Sequence, residues 1–140
     1  MINLRFSKPL YMELTGFQKF LEEKPARGNI FRYFIESLSE FTKLDLEKNN
    51  ISIDKLGNFF NDFTRRAYGV KVSISEINKK TGCSKSEIQN IIRDFENYES
   101  GVVLKIRSRN IDGGHSANYY FVSPSLLVQN KDLGKIIRLG

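Results

Sequence analysis

Two capping boxes eleven residues apart, Ser73-Ile74-Ser75-Glu76 and Ser84-Lys85-Ser86-Glu87, with Gly82 between them, leave the middle of this chain few ways to fold. In each box the Ser hydroxyl can accept from the N–H three residues on, while the Glu reaches back to the Ser N–H, so each marks a helix start. Two short helices therefore meet at Thr81-Gly82-Cys83. In the second, from Lys85 to about Asn97, Ile88, Ile91, Ile92 and Phe95 form an apolar face. Lys85, Gln89 and Arg93 then share an exposed stripe at four-residue intervals, with Ser86 and Asn90 beside them.

Period-two alternation follows. Val102, Leu104 and Ile106 are expected to face the core, and Lys105, Arg107 and Arg109 to line the opposite face. Asn110 to Ser116 is turn-rich, and Asn118-Tyr119-Tyr120-Phe121-Val122 reads as the return strand of a hairpin that Pro124 stops. Upstream, Ile53, Leu56, Phe60, Phe63 and Ala67 recur at helical steps behind a Ser52 cap, which predicts a helix over 53–68 stopped by Gly69. The piece Val70-Lys71-Val72 is extended.

The order helix, short strand, helix, helix, strand, loop, strand from about 53 to 123 resembles the winged helix-turn-helix superfamily of bacterial, phage and plasmid regulators and replication or partition factors. The resemblance covers about half the chain and rests on spacing rather than identity. It implies a fold that is mainly α with a small β-hairpin (α+β), a winged helix over 51–124 preceded by an N-terminal helical extension over 1–50, with a tail or helix at 125–140.

That resemblance gives the polar residues a reading. The helix from Lys85 would lie in the DNA major groove, where Lys85 and Arg93 can donate to guanine and Gln89 and Asn90 can pair with adenine. Ser84 and Ser86, at its N-terminus, suit phosphate. Lys105, Arg107 and Arg109, with His115 and Ser116 in the wing loop, would follow the backbone or a minor groove. The plainer readings are a solvated helix face and an edge strand protected by charge. Lys79-Lys80 and Arg65-Arg66 read as charges closing their helices.

Charge leans the same way. Residues 1–50 carry 8 Lys+Arg against 7 Asp+Glu, whereas residues 51–140 carry 14 against 9, so the basic excess lies with the candidate DNA-binding half. Against it, the second helix holds Lys85 and Arg93 against Glu87, Asp94 and Glu96.

Enzyme chemistry finds little footing. His115 is the only histidine and Cys83 the only cysteine, which removes the usual His–Cys and Ser–His–Asp constellations, a zinc finger and an internal disulfide. A tyrosine nucleophile among six would still need metal ligands in a spacing the chain lacks. No catalytic residue, cofactor or metal is expected. Cys83 reads as a buried structural thiol, and Asn78 as an amide that would loosen the helix pair unless partnered. No long apolar run appears, so no membrane partner is expected and a reducing, cytoplasmic setting is.

The first 50 residues are rich in Phe. A helix from about Pro9 to Lys24 puts Leu10, Leu14, Phe17 and Leu21 on one face, with Pro25 ending it. A second from about Gly28 to Glu47 carries Phe31, Phe34, Leu38 and Phe41. Their faces either pack on the winged helix or cover each other in a homodimer; the homodimer is the expectation, since it would present two recognition helices to successive half-sites. The functional expectation is a sequence-specific double-stranded DNA-binding protein, a transcriptional regulator or a replication or partition factor. The alternative is an adaptor that binds protein without touching DNA.

Overall fold

The structure, a computed structural model, describes residues 17, 19–62, 64–98, 102–108 and 117–123. Phe17 and residues 19–22 are helical, in keeping with the first expected helix; Leu10 and Leu14 lie outside the described residues. That helix stops at Glu22, short of Pro25 as expected, and Pro25 also opens the next one. Its fixed φ and missing N–H suit the first turn, where that N–H would have no partner, and α1 runs Pro25–Glu36.

The single helix expected to Glu47 is three elements: α1, strand β1 (Ser39–Thr42) and helix α2 (Lys43–Lys48). The break is legible in retrospect, because Thr42-Lys43-Leu44-Asp45 is itself a capping box. Thr42 Oγ1 accepts from Asp45 N–H at 3.2 Å, and Asp45 Oδ2 accepts from Thr42 N–H at 2.9 Å. Hydrogen bonds from the Thr42 backbone and then its hydroxyl hold the Asp45 carboxyl below the usual carboxylate range.

The helix expected over 53–68 is also overturned. Ser52 does cap, accepting from Asp54 N–H at 3.3 Å, but α3 (Ile53–Leu56) stops after one turn at Gly57, whose φ is +49°. A 3₁₀ turn (Gly57–Phe59) leads into strand β2 (Phe60–Asn61), and β3 (Arg66–Val72) replaces the rest. Arg65 turns the chain at φ +58°, and Arg66 pairs with Glu40 of β1 instead of closing a helix. Gly69 is no helix stop; it lies inside β3 opposite Phe121. Strand pairing prevails because β3 is flanked by partners on both sides. Residues 66–69 pair with β1 and residues 68–72 with the return strand, links that no local helical period can register.

After β3 come α4 (Ile74–Thr81), α5 (Lys85–Asn97), β4 (Val103–Arg107) and β5 (Asn118–Val122). The expected hairpin is thus two strands of a five-stranded antiparallel sheet, ordered β1-β3-β5-β4 with β2 also on β3. The chain is mixed α and β.

Both sheet faces are covered, and strand alternation sorts the core into two. Tyr68, Val70 and Val72 of β3, Tyr120 and Val122 of β5 and Val103 of β4 pack under α1, α4 and α5, with Phe31, Phe34, Ile77, Ile88, Ile91 and Phe95. On the other face Ala67, Tyr119, Phe121, Leu104 and Ile106 meet Leu46, Ile51 and Leu56 of the α2–α3 segment. Phe34 stacks on Tyr120 at 5.1 Å, and Phe31 meets Phe95 edge-on at 5.9 Å. The apolar face of α1 is therefore covered inside the chain by α4, α5 and the sheet, and not across a two-fold axis as expected. Among the described residues no helix is long and apolar enough to cross a membrane.

Candidate nucleic-acid interface

The turn between α4 and α5 is held by side chains that the sequence places within a few residues of each other. Ser73 and Glu76 complete the first capping box, at 3.1 Å and 3.3 Å. Gly82 takes a left-handed φ of +78°, and its N–H donates to the Asn78 carbonyl at 2.8 Å. Thr81 Oγ1 donates to the Ile77 carbonyl at 2.7 Å and accepts from Cys83 N–H at 3.2 Å. Asn78, which would loosen the pair if unpartnered, instead donates from Nδ2 to the Cys83 carbonyl at 2.6 Å and staples the turn. Cys83 is a buried thiol within the helix-side core. Lys79 and Lys80 fall in the last turn of α4, where cations favour the negative helix end.

Asn78→Ala should therefore cost about 1 to 2 kcal/mol, because the Cys83 carbonyl loses its donor in a half-buried turn. A shift in the urea midpoint of that size is the expected reading; no shift would mean that the turn is held without the amide.

Ser84 caps helix α5: its hydroxyl accepts from Glu87 N–H at 3.2 Å and lies 3.4 Å from the Ser86 hydroxyl, while the return bond from Glu87 expected of a second capping box does not form. Ile88, Ile91, Ile92 and Phe95 are buried as expected, and Ser84, Lys85, Ser86, Gln89, Asn90 and Arg93 are exposed. Five acidic and basic side chains lie on this helix, but they do not all face the same surroundings. Asp94 turns toward α1, where buried Arg27 donates to its Oδ2 from Nη2 at 3.0 Å and Nε at 3.3 Å. That carboxylate is neutralised internally. The solvent-facing balance of α5 is then even, Lys85 and Arg93 against Glu87 and Glu96.

The hairpin supplies the remaining charge, on the face of β4 opposite Leu104 and Ile106 as expected, and that face is the helix side of the sheet. Leu104 and Ile106 do alternate with Lys105 and Arg107, but toward the smaller core over α2 and α3; Val102 is out of phase and joins the helix-side core. Lys105 and Arg107 instead continue the face that Val103 packs under the helices. They project toward the C-terminal half of α5 because Val103 anchors β4 there and period two does the rest.

The result is a groove of about 490 Å³ between α5 and the hairpin, lined by Gln89, Arg93 and Glu96 from the helix and by Lys105, Arg107 and Asn118 from the strands. Ile74, Ile92 and Tyr120 complete its wall and floor. Asn118 Nδ2 donates to the Tyr120 hydroxyl at 3.2 Å. Burial pushes that hydroxyl above its ordinary range, the Asn118 hydrogen bond opposes the shift, and the Glu96 charge adds to it. Among the described residues, Arg93, Lys105 and Arg107 have no carboxylate within 4.0 Å. Three unpaired cations facing one groove favour an anionic ligand.

Four of the expected site residues, Gln89, Arg93, Lys105 and Arg107, are thus brought together. Ser84, Lys85, Ser86 and Asn90 lie elsewhere on the exposed surface of α5, outside the groove lining. Arg109, His115 and Ser116 lie outside the described residues. Sequence reasoning missed Asn118 and Tyr120, which reach the groove because β5 pairs Asn118 with Arg107 and Tyr120 with Lys105. Residues opposite one another on paired strands share a face, so the hairpin register would have revealed them. β4 is also a sheet edge, so its charges guard that edge as well.

Comparison of the chain with family models, curated proteins and solved structures finds no match.

Proposed function

We propose that this protein binds double-stranded DNA in a sequence-specific manner through a winged helix-turn-helix, as a transcriptional regulator or a replication or partition factor. The observation that carries the reading is the convergence of Gln89 and Arg93 from α5 with Lys105 and Arg107 from the hairpin on one groove. The element order supports it too. Helix α1, strand β3, helices α4 and α5 and strands β4 and β5, in a β3-β5-β4 sheet, match the connectivity of a winged helix. In that correspondence α1 is the first helix, and β1, α2, α3 and β2 form an insertion before the first strand. In a helix-turn-helix the second helix enters the major groove with its N-terminal residues at base edges. Here those residues are Lys85, Ser86, Gln89 and Asn90, all exposed.

An adaptor function drew its support from the acidic count of α5. That support shrinks once Asp94 is taken up by Arg27. Selection of the full chain against a random duplex library at physiological salt is expected to enrich a motif, and paired half-sites in it would reveal a dimer on DNA. Absence of binding to any duplex at low salt, where attraction to phosphates is strongest, would overturn the proposal in favour of protein binding.

A further inference from the structure

Base reading and backbone gripping are separate tasks, and the groove divides them along α5. Arg93 lies eight residues beyond Lys85, about 12 Å along the helix axis, whereas base contacts in this docking geometry come from the N-terminal part of the helix. It faces two further cations instead. Lys105 and Arg107 stand two residues apart on one face of β4, and all three line the same concave surface without a carboxylate partner among the described residues. Holding three like charges around one groove costs Coulomb energy that a bound anion would repay. Glu96 lines the same groove and offsets one of the three positive charges, so the groove remains cationic.

We infer that Arg93, Lys105 and Arg107 grip one phosphodiester of the DNA backbone between helix and hairpin, leaving base reading to Lys85, Ser86, Gln89 and Asn90. This rests on the DNA-binding reading and assigns Arg93 a positioning role in place of the guanine contact its residue type suggests. The guanidinium suits that role, since its planar fork matches phosphate oxygens bidentately. Lys105 adds a point charge.

The test is fluorescence anisotropy of the full chain with its selected duplex and with a scrambled one, between about 50 and 200 mM salt. Arg93→Gln, Lys105→Gln and Arg107→Gln are each expected to weaken both duplexes by the same factor, and the triple variant to lower the salt slope by about one in all, because the three share one phosphate. The Arg93→Gln/Lys105→Gln double variant should lose less than the product of the single losses, because the two cations share one phosphate. Gln89→Ala, in contrast, should change base preference and leave the slope intact. If Arg93→Gln relaxes preference at one base pair with an unchanged slope, Arg93 reads a base, and the inference fails while DNA binding stands. If the unmodified chain binds neither duplex at the lowest salt, both fail. Thermal melts matching the unmodified chain show that the variants are folded.

Discussion

Gly69→Val is expected to destabilise the protein by about 3 kcal/mol or more, a large part of the usual margin of a domain. A Cβ at Gly69 would sit 2.7 Å from the Tyr120 carbonyl oxygen, 2.8 Å from Phe121 Cδ1 and 3.1 Å from Phe121 Cα. Two of those three atoms are backbone, so no side-chain rotation relieves the clash. β3 and β5 would have to part, and their pairing joins the β1 side of the sheet to the hairpin that carries Lys105 and Arg107. Loss of the proposed duplex binding should follow loss of fold, with both transitions at the same denaturant concentration. Gly28→Ala provides the contrast. It lies within α1 with no atom beyond its chain neighbours and its own helix backbone within 4 Å of the added Cβ, so it should stabilise by about 0.5 to 1 kcal/mol through helix propensity. A neutral Gly69→Val would mean that the two central strands do not approach so closely.

Arg27→Ala should cost about 3 kcal/mol, for electrostatic and packing reasons together. The Arg27 side chain is 8% exposed and Asp94 29%. The guanidinium donates from Nη1 to the Phe20 carbonyl and to Glu23, each at 2.9 Å, in addition to its two bonds to Asp94, and lies 4.0 Å from the centre of the Phe20 ring. Without it, Asp94 keeps only Lys24 at 3.6 Å, largely in solvent. Arg27→Lys should recover little, because an ammonium has no fork to span Asp94 and the Phe20 carbonyl. Arg27→Met with Asp94→Leu should recover much of the loss, since removing both partners leaves no buried charge behind. Chemical denaturation gives all three values, and an Arg27→Ala midpoint equal to that of the unmodified chain would sink the argument. The same substitution leaves Asp94 on α5 with only the exposed Lys24 as partner, so the proposed duplex affinity should fall even at temperatures where the variant is fully folded.

Local chemistry settled the centre of the chain. The Ser73 box, Gly82 and the Ser84 cap act within a few residues of each other, and α4, its turn and α5 form where their spacing demands. The buried stripe from Ile88 to Phe95 and the exposed Gln89 and Arg93 follow from helical period alone. Hairpin strands β4 and β5 were legible for a similar reason, since alternation and turn residues are local signals.

The elements before β3 were not legible in the same way. Ile53 to Ala67 satisfy a helical period, yet residues 66–72 become a strand, because β1 lies some 25 residues earlier and β5 some 50 later, and only their pairing makes that choice favourable. Tertiary structure also decided the character of the site. Whether Lys105 and Arg107 face solvent or α5 depends on which sheet face each core covers, and whether Asp94 counts against DNA depends on Arg27, sixty-seven positions away. Sequence by itself determined which helices and strands carry the polar side chains, because caps, turns and periodicity act over a few residues. Which of those side chains meet in one groove, and which are neutralised before they reach it, was decided only by packing, because those partners are distant along the chain.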